Sequence, residues 1–293
     1  MPAQFVGVAG LPRAGSTLLC QLLAEHPAIH CEGHSSPLCT TLLATRRTIS
    51  DDPFMLSQLD GQFDASYGHL KSAMQGFLQG WYADCTKPMV VDKSRAWLQC
   101  IEFLLHLEPQ ARLLVCVREM GQVYGSIESQ HQKTILLDFI DHLADYDRLR
   151  RADQLFASDN SIGAALAAIQ AVQDLPPAVR ERIFFVRFED LVIKPTETMA
   201  LVYQWLGLAK HRIDPHALQV RAHESDSHFR HKYLHRQNGR IVAPPLHKVP
   251  KRVQDLILKA FGWYCEWFYP TAAPRESQRK EKVNEKVLAP GME

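Results

Sequence analysis

The sequence predicts an α/β fold in three layers, with a mostly parallel central sheet covered by helices on both faces. The first observation is a set of apolar runs of strand length, which indicate buried parallel strands. These runs lie at residues 5–9, 89–91, 113–117 and 183–188. The second observation is that helical apolar patterns follow most of the runs, at residues 16–25, 95–107, 120–131 and 196–206. Repeated strand-then-helix order is typical of a parallel sheet with helices packed on it.

The first strand leads into a glycine-rich turn, Gly10-Leu-Pro-Arg-Ala-Gly-Ser-Thr17, and then into a helix. In such a turn, consecutive backbone N–H groups and a helix N-terminus together form an anion site. Gly10 and Gly15 have the spacing of the phosphate loop G-x-x-x-x-G-K-[ST], but Ser16 occupies the lysine position. Arg13 supplies the positive charge instead, so we expect a loop that binds a phosphate-like group and differs from that of an ATPase. Ser16 and Thr17 are also the predicted N-cap of the helix.

The segment between the first and second predicted strands, residues 30–85, shows no strong period. Pro27 ends the helix before it. The segment lies at the carboxyl edge of the sheet, where ligands of α/β proteins bind, so we interpret it as a substrate-side element. If its start is extended, Glu32 and His34 point to the same face.

The second predicted strand ends at Lys93, next to Asp92. Lys93 is a candidate cation for a negatively charged group, after Arg13 as the first choice. The alternative is a salt bridge from Lys93 to Asp92, or exposure to solvent.

The third predicted strand ends at Arg118, and Ser126 follows eight residues later in the next helix. A guanidinium group binds a phosphate through two parallel hydrogen bonds, and a hydroxyl group donates one more. Both groups are of types that suit a phosphate. The alternative for Arg118 is a surface ion pair with Glu119 or Glu128.

The chain is predicted to be one domain over residues 1–270, with a helical insert at about 134–175. Asp159-Asn160 is a predicted break in this insert, and Pro176-Pro177 marks the return to the sheet. Residues 271–293 are charged and contain few apolar side chains, which predicts a flexible tail.

Composition narrows the classes of partner. The net charge of +1 gives no bulk attraction to nucleic-acid polymers or membranes. No run reaches the roughly 18 apolar residues of a membrane span, and no signal peptide is visible. The seven cysteines have no regular spacing, which favours free thiols and a cytoplasmic location.

The turn resembles the 5′-phosphosulfate loop of sulfotransferases that use 3′-phosphoadenosine-5′-phosphosulfate (PAPS). Pro12-Arg-Ala-Gly-Ser-Thr17 is similar to the usual form, Pro-[Lys/Arg]-Ser-Gly-[Thr/Ser]-Thr. The resemblance covers roughly residues 4–270 and is nearest to the bacterial and tyrosylprotein branch. It implies a P-loop-like α/β fold in which the loop holds the 5′-phosphosulfate, while Arg118 and Ser126 hold the 3′-phosphate. The loop residues that it implies as nucleotide ligands are Leu11, Pro12, Arg13, Ala14, Gly15, Ser16, Thr17 and Leu18.

Three further segments resemble the same family. Val90-Val-Asp-Lys-Ser94 is similar to the lysine-bearing strand end of the tyrosylprotein branch, which implies a catalytic role for Lys93. Phe184-Phe-Val-Arg-Phe-Glu-Asp-Leu191 is similar to a family strand followed by Tyr-Glu-Asp-Leu, but Phe188 replaces the tyrosine that contacts the adenine. His247-Lys-Val-Pro250 resembles a family loop whose lysine faces the nucleotide, which makes Lys248 a candidate ligand.

The catalytic base has two candidates. In the tyrosylprotein branch, a glutamate lies eight residues after a His-Pro that ends the first helix. Here His26-Pro27 ends the helix, and the residue at that distance is His34. Glu32 is the other candidate, and it can instead orient His34 as the second member of a dyad.

The resemblance implies an enzyme that moves a sulfuryl group from PAPS to an acceptor hydroxyl, on a peptide tyrosine or a small molecule. The product nucleotide is 3′,5′-ADP, and no metal is expected. Arg13 and Lys93 are the cations that would neutralise developing charge. The alternatives are a P-loop nucleotide kinase or NTPase, and a non-catalytic nucleotide-binding protein.

His228, His231 and His235 fit one helical face, which we interpret as polar and cationic rather than metal-binding.

Overall fold

Five parallel strands form the central sheet in the part of the chain that the computed structural model describes, residues 3–138, 142–220 and 238–270. The strands are β1 (Gln4–Gly10), β2 (Ile29–Cys31), β3 (Met89–Lys93), β4 (Arg112–Val117) and β5 (Ile183–Arg187). Their order across the sheet is β2-β3-β1-β4-β5, and each neighbouring pair is parallel. The predicted α/β class with a parallel sheet is confirmed.

Helices connect the strands. They are α1 (Ser16–Ala24), α2 (Leu38–Ser50), α3 (Pro53–Trp81), α4 (Ile101–Leu107), α5 (Met120–Lys133), α6 (Arg148–Phe156), α7 (Gly163–Ala171), α8 (Pro177–Arg180), α9 (Phe188–Ile193), α10 (Pro195–Leu206) and α11 (Lys251–Phe268). From β1 the chain moves to one edge of the sheet, and from β3 it crosses towards the other edge. Because crossovers between parallel strands are right-handed, these opposite directions place helices on both faces.

The segment at residues 30–85 is more regular than its sequence suggests. It contains β2 and two helices, α2 and the 29-residue α3. The sequence shows no strong apolar period in this segment, so α3 was not predicted. The reason is that this helix buries only Ser66, Met74 and Leu78. A helix that buries so few side chains has a weak apolar period, since the period reflects burial.

The helix predicted over residues 95–107 is interrupted. A 3₁₀ turn occupies Arg95–Trp97, and α4 begins only at Ile101. The indole Nε1 of Trp97 donates to the Asp92 carboxylate at 2.6 Å. Cys100 has φ −125° and ψ 33°, which is outside the helical region, so the chain leaves helical geometry before α4.

The region at about 134–175 holds α6, α7 and two 3₁₀ turns, at Leu143–Asp145 and Val172–Asp174. Asp159-Asn160 lies in the turn between α6 and α7. The assignment of residues 1–270 to one domain stays a prediction. The expected tail at 271–293 lies outside the described residues.

Replacing Gly10 with alanine is expected to destabilise the fold by about 1–3 kcal/mol, through overpacking and backbone strain. Gly10 has φ 119°, and a Cβ atom there would lie 2.1 Å from the carbonyl oxygen of Cys116 in the neighbouring strand. Urea unfolding would measure the loss. Gly61→Ala is the control, because no atom lies within 4 Å of its Cβ position. Equal stability of the two variants would contradict this account of Gly10.

Candidate functional site

The glycine-rich turn joins β1 to α1 in a conformation with three positive φ angles, 119° at Gly10, 58° at Arg13 and 87° at Gly15. Gly15 is the N-cap residue of α1, and no side chain caps the helix. The predicted capping by Ser16 and Thr17 is therefore wrong, because both residues already lie in the first helical turn. The first turn of α1 also carries no acidic side chain. Its N–H groups and positive dipole end suit an anion.

Arg118 is buried at the carboxyl end of β4 and contacts this turn. Its Nη1 donates to the carbonyl oxygen of Arg13 at 3.0 Å, and its Cζ lies 4.3 Å from the centre of the Phe188 ring. Burial, the largest cause, lowers the pKa of Arg118 below its ordinary value. Its buried Nε has no hydrogen-bond partner among the described residues. An orphaned buried donor is unfavourable on its own, so it suits an acceptor from outside the chain.

The two glutamates proposed as alternative partners of Arg118 are engaged elsewhere. The Glu119 carboxylate accepts hydrogen bonds from the backbone N–H groups of Gly121 and Gln122 at the start of α5. Glu128 accepts from the Arg151 guanidinium at 2.7 Å and 3.0 Å. These contacts favour a binding role for Arg118 over a surface ion pair.

Ser126 and Arg13 meet in space as well. Arg13 Nε donates to Ser126 Oγ at 3.2 Å. The eight-residue spacing from Arg118 to Ser126 therefore brings a guanidinium and a hydroxyl group to the same side of the turn.

Lys93 reaches the turn from β3. It is 7% exposed, and its Nζ donates to Thr17 Oγ1 at 3.0 Å. The neighbouring Asp92 uses its two oxygens to accept hydrogen bonds from Tyr82 Oη and Trp97 Nε1. Successive side chains of a strand point to opposite faces. Lys93 therefore contacts the turn, while Asp92 accepts its hydrogen bonds on the other face of the strand.

Arg13, Arg118 and Ser126 line one cavity of about 330 Å³, which we call the anion pocket, and Lys93 contacts its lining residue Thr17 from outside the lining. Its predicted lining residues are Arg13, Gly15, Ser16, Thr17, Leu18, Arg118, Ser126 and Phe188. The lining residues that the sequence did not identify are Gln21, Asn238, Arg240, Ile241, Val242, Pro244 and His247. None of these lining residues is acidic. Burial first, and then the charges of Arg118, Lys133 and Arg13, lower the pKa of His247, as expected in an electropositive pocket.

Four predicted ligands do not line the anion pocket with their side chains. Leu11, Pro12 and Ala14 are buried beneath the turn. Lys248 lines a neighbouring cavity of about 550 Å³ beside α5 and α11. The adjacent His247 lines both cavities, so the structure places the preceding residue where Lys248 was expected.

Phe188 covers the turn. A Cβ atom on Gly15 would lie 2.5 Å from the Phe188 ring, and the same ring stacks against Arg118. The ring therefore requires glycine at position 15 and holds the Arg118 guanidinium in place through a cation–π contact.

The two candidate bases lie together just beyond β2. His34 Nε2 is 2.9 Å from a Glu32 carboxylate oxygen, and His30 Nε2 is 3.7 Å from the other. His34 Nδ1 lies 3.3 Å from the carbonyl oxygen of Ser35, so both ring nitrogens of His34 face an acceptor. In the neutral imidazole one nitrogen carries the proton and the other carries the lone pair, and Glu32 orients the ring as the second member of a dyad.

The dyad lines a cavity of about 350 Å³ that is distinct from the anion pocket. A backbone hydrogen bond of 2.9 Å from Ser36 to the carbonyl oxygen of Lys93 links the end of the dyad loop to β3. Lys93 therefore contacts the loop that carries Glu32 and His34, through Ser36, and the turn beside the anion pocket, through Thr17. The histidines proposed to share a helical face, His228, His231 and His235, lie outside the described residues.

Among the residues that the structure describes, we find no helix both long and apolar enough to span a membrane.

Comparison with known proteins gives a consistent result. The model of the sulfotransferase family matches residues 6–212. Over 211 residues the chain is 26% identical to protein-tyrosine sulfotransferase 2 of Gallus gallus, covering 71% of this chain and 52% of that protein. Over 121 residues it is 31% identical to protein-tyrosine sulfotransferase 1 of Homo sapiens, covering 41% of this chain and 32% of that protein. The chain therefore spans at most about half the length of these curated relatives.

One solved structure, a sulfotransferase domain from the curacin biosynthetic pathway, shares the fold. The TM-score is 0.50 at 16% identity, and the match covers 89% of this chain and 98% of that domain. At this identity the likeness concerns the fold alone.

Proposed function

The chain belongs to the sulfotransferase family, and from this premise we propose that it transfers a sulfuryl group from PAPS to an acceptor hydroxyl. One observation carries the proposal. Arg13 in the turn, Lys93 on β3, and Arg118 and Ser126 around α5 converge on the start of α1. These groups come from three separate parts of the chain, and the cations among them suit a ligand with several negative charges.

The residues of the anion pocket fit such a nucleotide. The orphaned Arg118 Nε provides a buried donor, and the first turn of α1 provides backbone N–H groups. We assign Arg118 and Ser126 to the 3′-phosphate. We assign the turn, with Arg13, Ser16 and Thr17, to the 5′-phosphosulfate.

When bound, the nucleotide would supply a sulfuryl group already activated by its bond to phosphate. The chain's own task is to position the acceptor and neutralise charge. Arg13 and Lys93 are the cations beside the turn, and both stay in fixed hydrogen bonds. The Glu32–His34 dyad is the group that would take the proton from the acceptor hydroxyl, with the imidazole of His34 as the base.

The anion pocket is expected to bind 3′,5′-ADP at least about tenfold more tightly than 5′-AMP. The loss of a charged hydrogen-bonding partner weakens binding by about 1.5–3 kcal/mol. Calorimetry with both nucleotides would measure the preference, and Arg118→Met should remove it. Equal affinities of the wild-type protein for the two nucleotides would contradict the 3′-phosphate assignment.

We propose a phenolic or other hydroxyl acceptor, with a tyrosyl side chain as the first candidate, because the curated relatives are named protein-tyrosine sulfotransferases. The test is the transfer of labelled sulfate from PAPS into a panel of a tyrosyl peptide, a small phenol, a sugar and an aliphatic alcohol. Label in any of these acceptors supports the proposed function. Release of label only as inorganic sulfate would oppose it.

A non-catalytic nucleotide-binding protein is the second candidate. The observation that favours it is the separate cavity of the dyad, which leaves Glu32 and His34 outside the lining of the anion pocket. This candidate requires tight binding of 3′,5′-ADP with no turnover on any acceptor.

We keep the cytoplasmic location as a proposal, supported by the seven cysteines, all of which are free thiols. A reaction without a metal or a nucleic-acid polymer is also part of the proposal.

A further inference from the structure

Gln21 is a polar residue in the core of α1. It is 2% exposed, and its helical neighbours Leu19, Cys20 and Leu22 are fully buried. Burying a carboxamide is unfavourable unless its hydrogen bonds are satisfied. The hydrogen-bond partners of the Gln21 carboxamide therefore show which parts of the chain it fixes against α1.

Gln21 Nε2 donates to two backbone carbonyl oxygens, Gln219 at 3.2 Å and Asn238 at 2.8 Å. These acceptors belong to two chain segments, 215–219 and 238–242, which we call the strap. The segments also bond to each other, through Leu218 N–H to Gly239 and Ile241 N–H to Pro215, both at 2.8 Å. One carboxamide thus holds both segments of the strap against α1.

A second residue of α1's C-terminal end joins the same strap. The Glu25 carboxylate accepts from the backbone N–H of Gln219 at 3.0 Å. This bond is exposed, whereas the bonds of Gln21 are partly buried and their donor side chain is buried. Water replaces an exposed hydrogen bond readily, so Gln21 is the stronger determinant of the strap position.

The strap forms part of the wall of the anion pocket. Asn238, Arg240, Ile241 and Val242 line the pocket, as does Gln21 itself. Ser16 begins α1 at the phosphate-binding turn, five residues before Gln21, or about 7.5 Å along the helix axis. The same rigid helix therefore carries the turn at its start and fixes the strap one to two turns later.

We propose that Gln21 is a positioning residue of the anion pocket, which sets the distance between the strap and the phosphate-binding turn through the two hydrogen bonds of its buried carboxamide. The inference rests on the proposed function, because it takes the ligand of the pocket to be a PAPS-type nucleotide. No apolar residue of the same size can replace Gln21, because both carbonyl oxygens would then lose their donor. A carboxylate would place negative charge against them.

The test uses Gln21→Met and Gln21→Glu in the full chain, with Tyr203→Phe as the matched control. Tyr203 is buried and donates to the Leu22 carbonyl oxygen of the same helix at 3.1 Å, but it does not line the pocket. Its replacement therefore removes a buried hydrogen bond to α1 without touching the strap.

Gln21→Met is expected to raise the Kd of 3′,5′-ADP about tenfold, the loss expected when buried polar groups lose their partner. Gln21→Glu should raise it further. The KM for PAPS should rise with the Kd while kcat changes by less than about threefold, because the strap acts on bound nucleotide and transition state alike. Amide exchange at Leu218 and Ile241 should accelerate in both Gln21 variants and stay slow in Tyr203→Phe.

An unchanged Kd in Gln21→Met, with slow exchange at Leu218 and Ile241, would overturn the inference. An equal rise of Kd in Tyr203→Phe would also overturn it, since the effect would then be general destabilisation of α1. If the wild-type protein bound no 3′,5′-ADP, the proposed function would fail, and the positioning of a nucleotide pocket would fail with it. The amide exchange would then still decide whether Gln21 holds the strap.

Discussion

Replacing His34 with alanine is expected to lower kcat by about 10²–10⁴-fold, the usual contribution of a general base. His34 is the imidazole of the dyad, and its Nε2 lies 2.9 Å from Glu32. The Kd of 3′,5′-ADP should change little, because the dyad lies outside the lining of the anion pocket. Steady-state kinetics on the best acceptor and nucleotide calorimetry would measure the two effects separately.

Glu32→Gln and His30→Ala test the assignment within the dyad. Glu32→Gln should lower kcat by less than His34→Ala does, because it removes only the group that orients the imidazole. His30 lies 3.7 Å from Glu32 and is a second histidine of the same cavity, so His30→Ala controls for general disturbance of the loop. An inactive Glu32→Gln together with an active His34→Ala would transfer the role of base to Glu32. Near-full activity of both variants would place the base elsewhere in the chain.

Replacing Lys93 with alanine is expected to lower kcat by about 10²–10³-fold, the range for removing one group that stabilises transition-state charge. Lys93 is 7% exposed and bonds to Thr17 in the first turn of α1, so we expect it to act on the charge that develops beside the turn. Arg13→Ala should differ, because it weakens nucleotide binding as well as turnover. Calorimetry with 3′,5′-ADP and single-turnover rates would separate the two patterns.

Thermal unfolding is the control for Lys93→Ala, since the lysine is buried between β3 and the turn. A folded Lys93→Ala variant with unchanged kcat and unchanged nucleotide affinity would show that the lysine is structural. A folded variant that lost nucleotide affinity at full kcat would assign Lys93 to ground-state binding instead.

Four of the five strands and the turn could be predicted from the sequence because their signals are local. Each of these four strands is a continuous apolar run, and the two glycines of the turn mark backbone conformations that favour glycine. Gly10 and Gly15 have φ angles of 119° and 87°. Arg118 and Ser126, which the resemblance implied as partners of one phosphate, line the same pocket, and their role as its ligands stays a prediction.

Other features depend on contacts between distant segments and could not be predicted. Strand β2 has three residues, too few to give an alternation, and α3 buries three side chains, too few to give a period. The strap reaches the anion pocket through Gln21, which in the sequence is only a polar residue in an apolar helix. His247 rather than Lys248 lines the pocket because the exact register of a loop depends on its tertiary contacts, such as the Gln122 side chain that accepts from the His247 N–H.

The predicted N-cap failed for a related reason. The sequence shows Ser16 and Thr17 before an apolar run, which is the usual signal of a cap. The left-handed conformation of Gly15 lets the helix begin one residue earlier, so both hydroxyl groups lie within its first turn. Thr17 then accepts from Lys93 instead of capping the helix.

A transfer assay with two labelled donors decides whether the protein that carries the anion pocket transfers a sulfuryl group to an acceptor hydroxyl. The wild-type chain is incubated in EDTA with a tyrosyl peptide, a small phenol, a sugar and an aliphatic alcohol, using PAPS labelled with ³⁵S or ATP labelled at its γ-phosphate. We expect the ³⁵S-labelled sulfuryl group to be transferred to an acceptor hydroxyl with release of 3′,5′-ADP. We expect the γ-phosphate to stay on ATP with or without added Mg²⁺. Magnesium-dependent transfer of the γ-phosphate, with no transfer of ³⁵S to any acceptor, would contradict it.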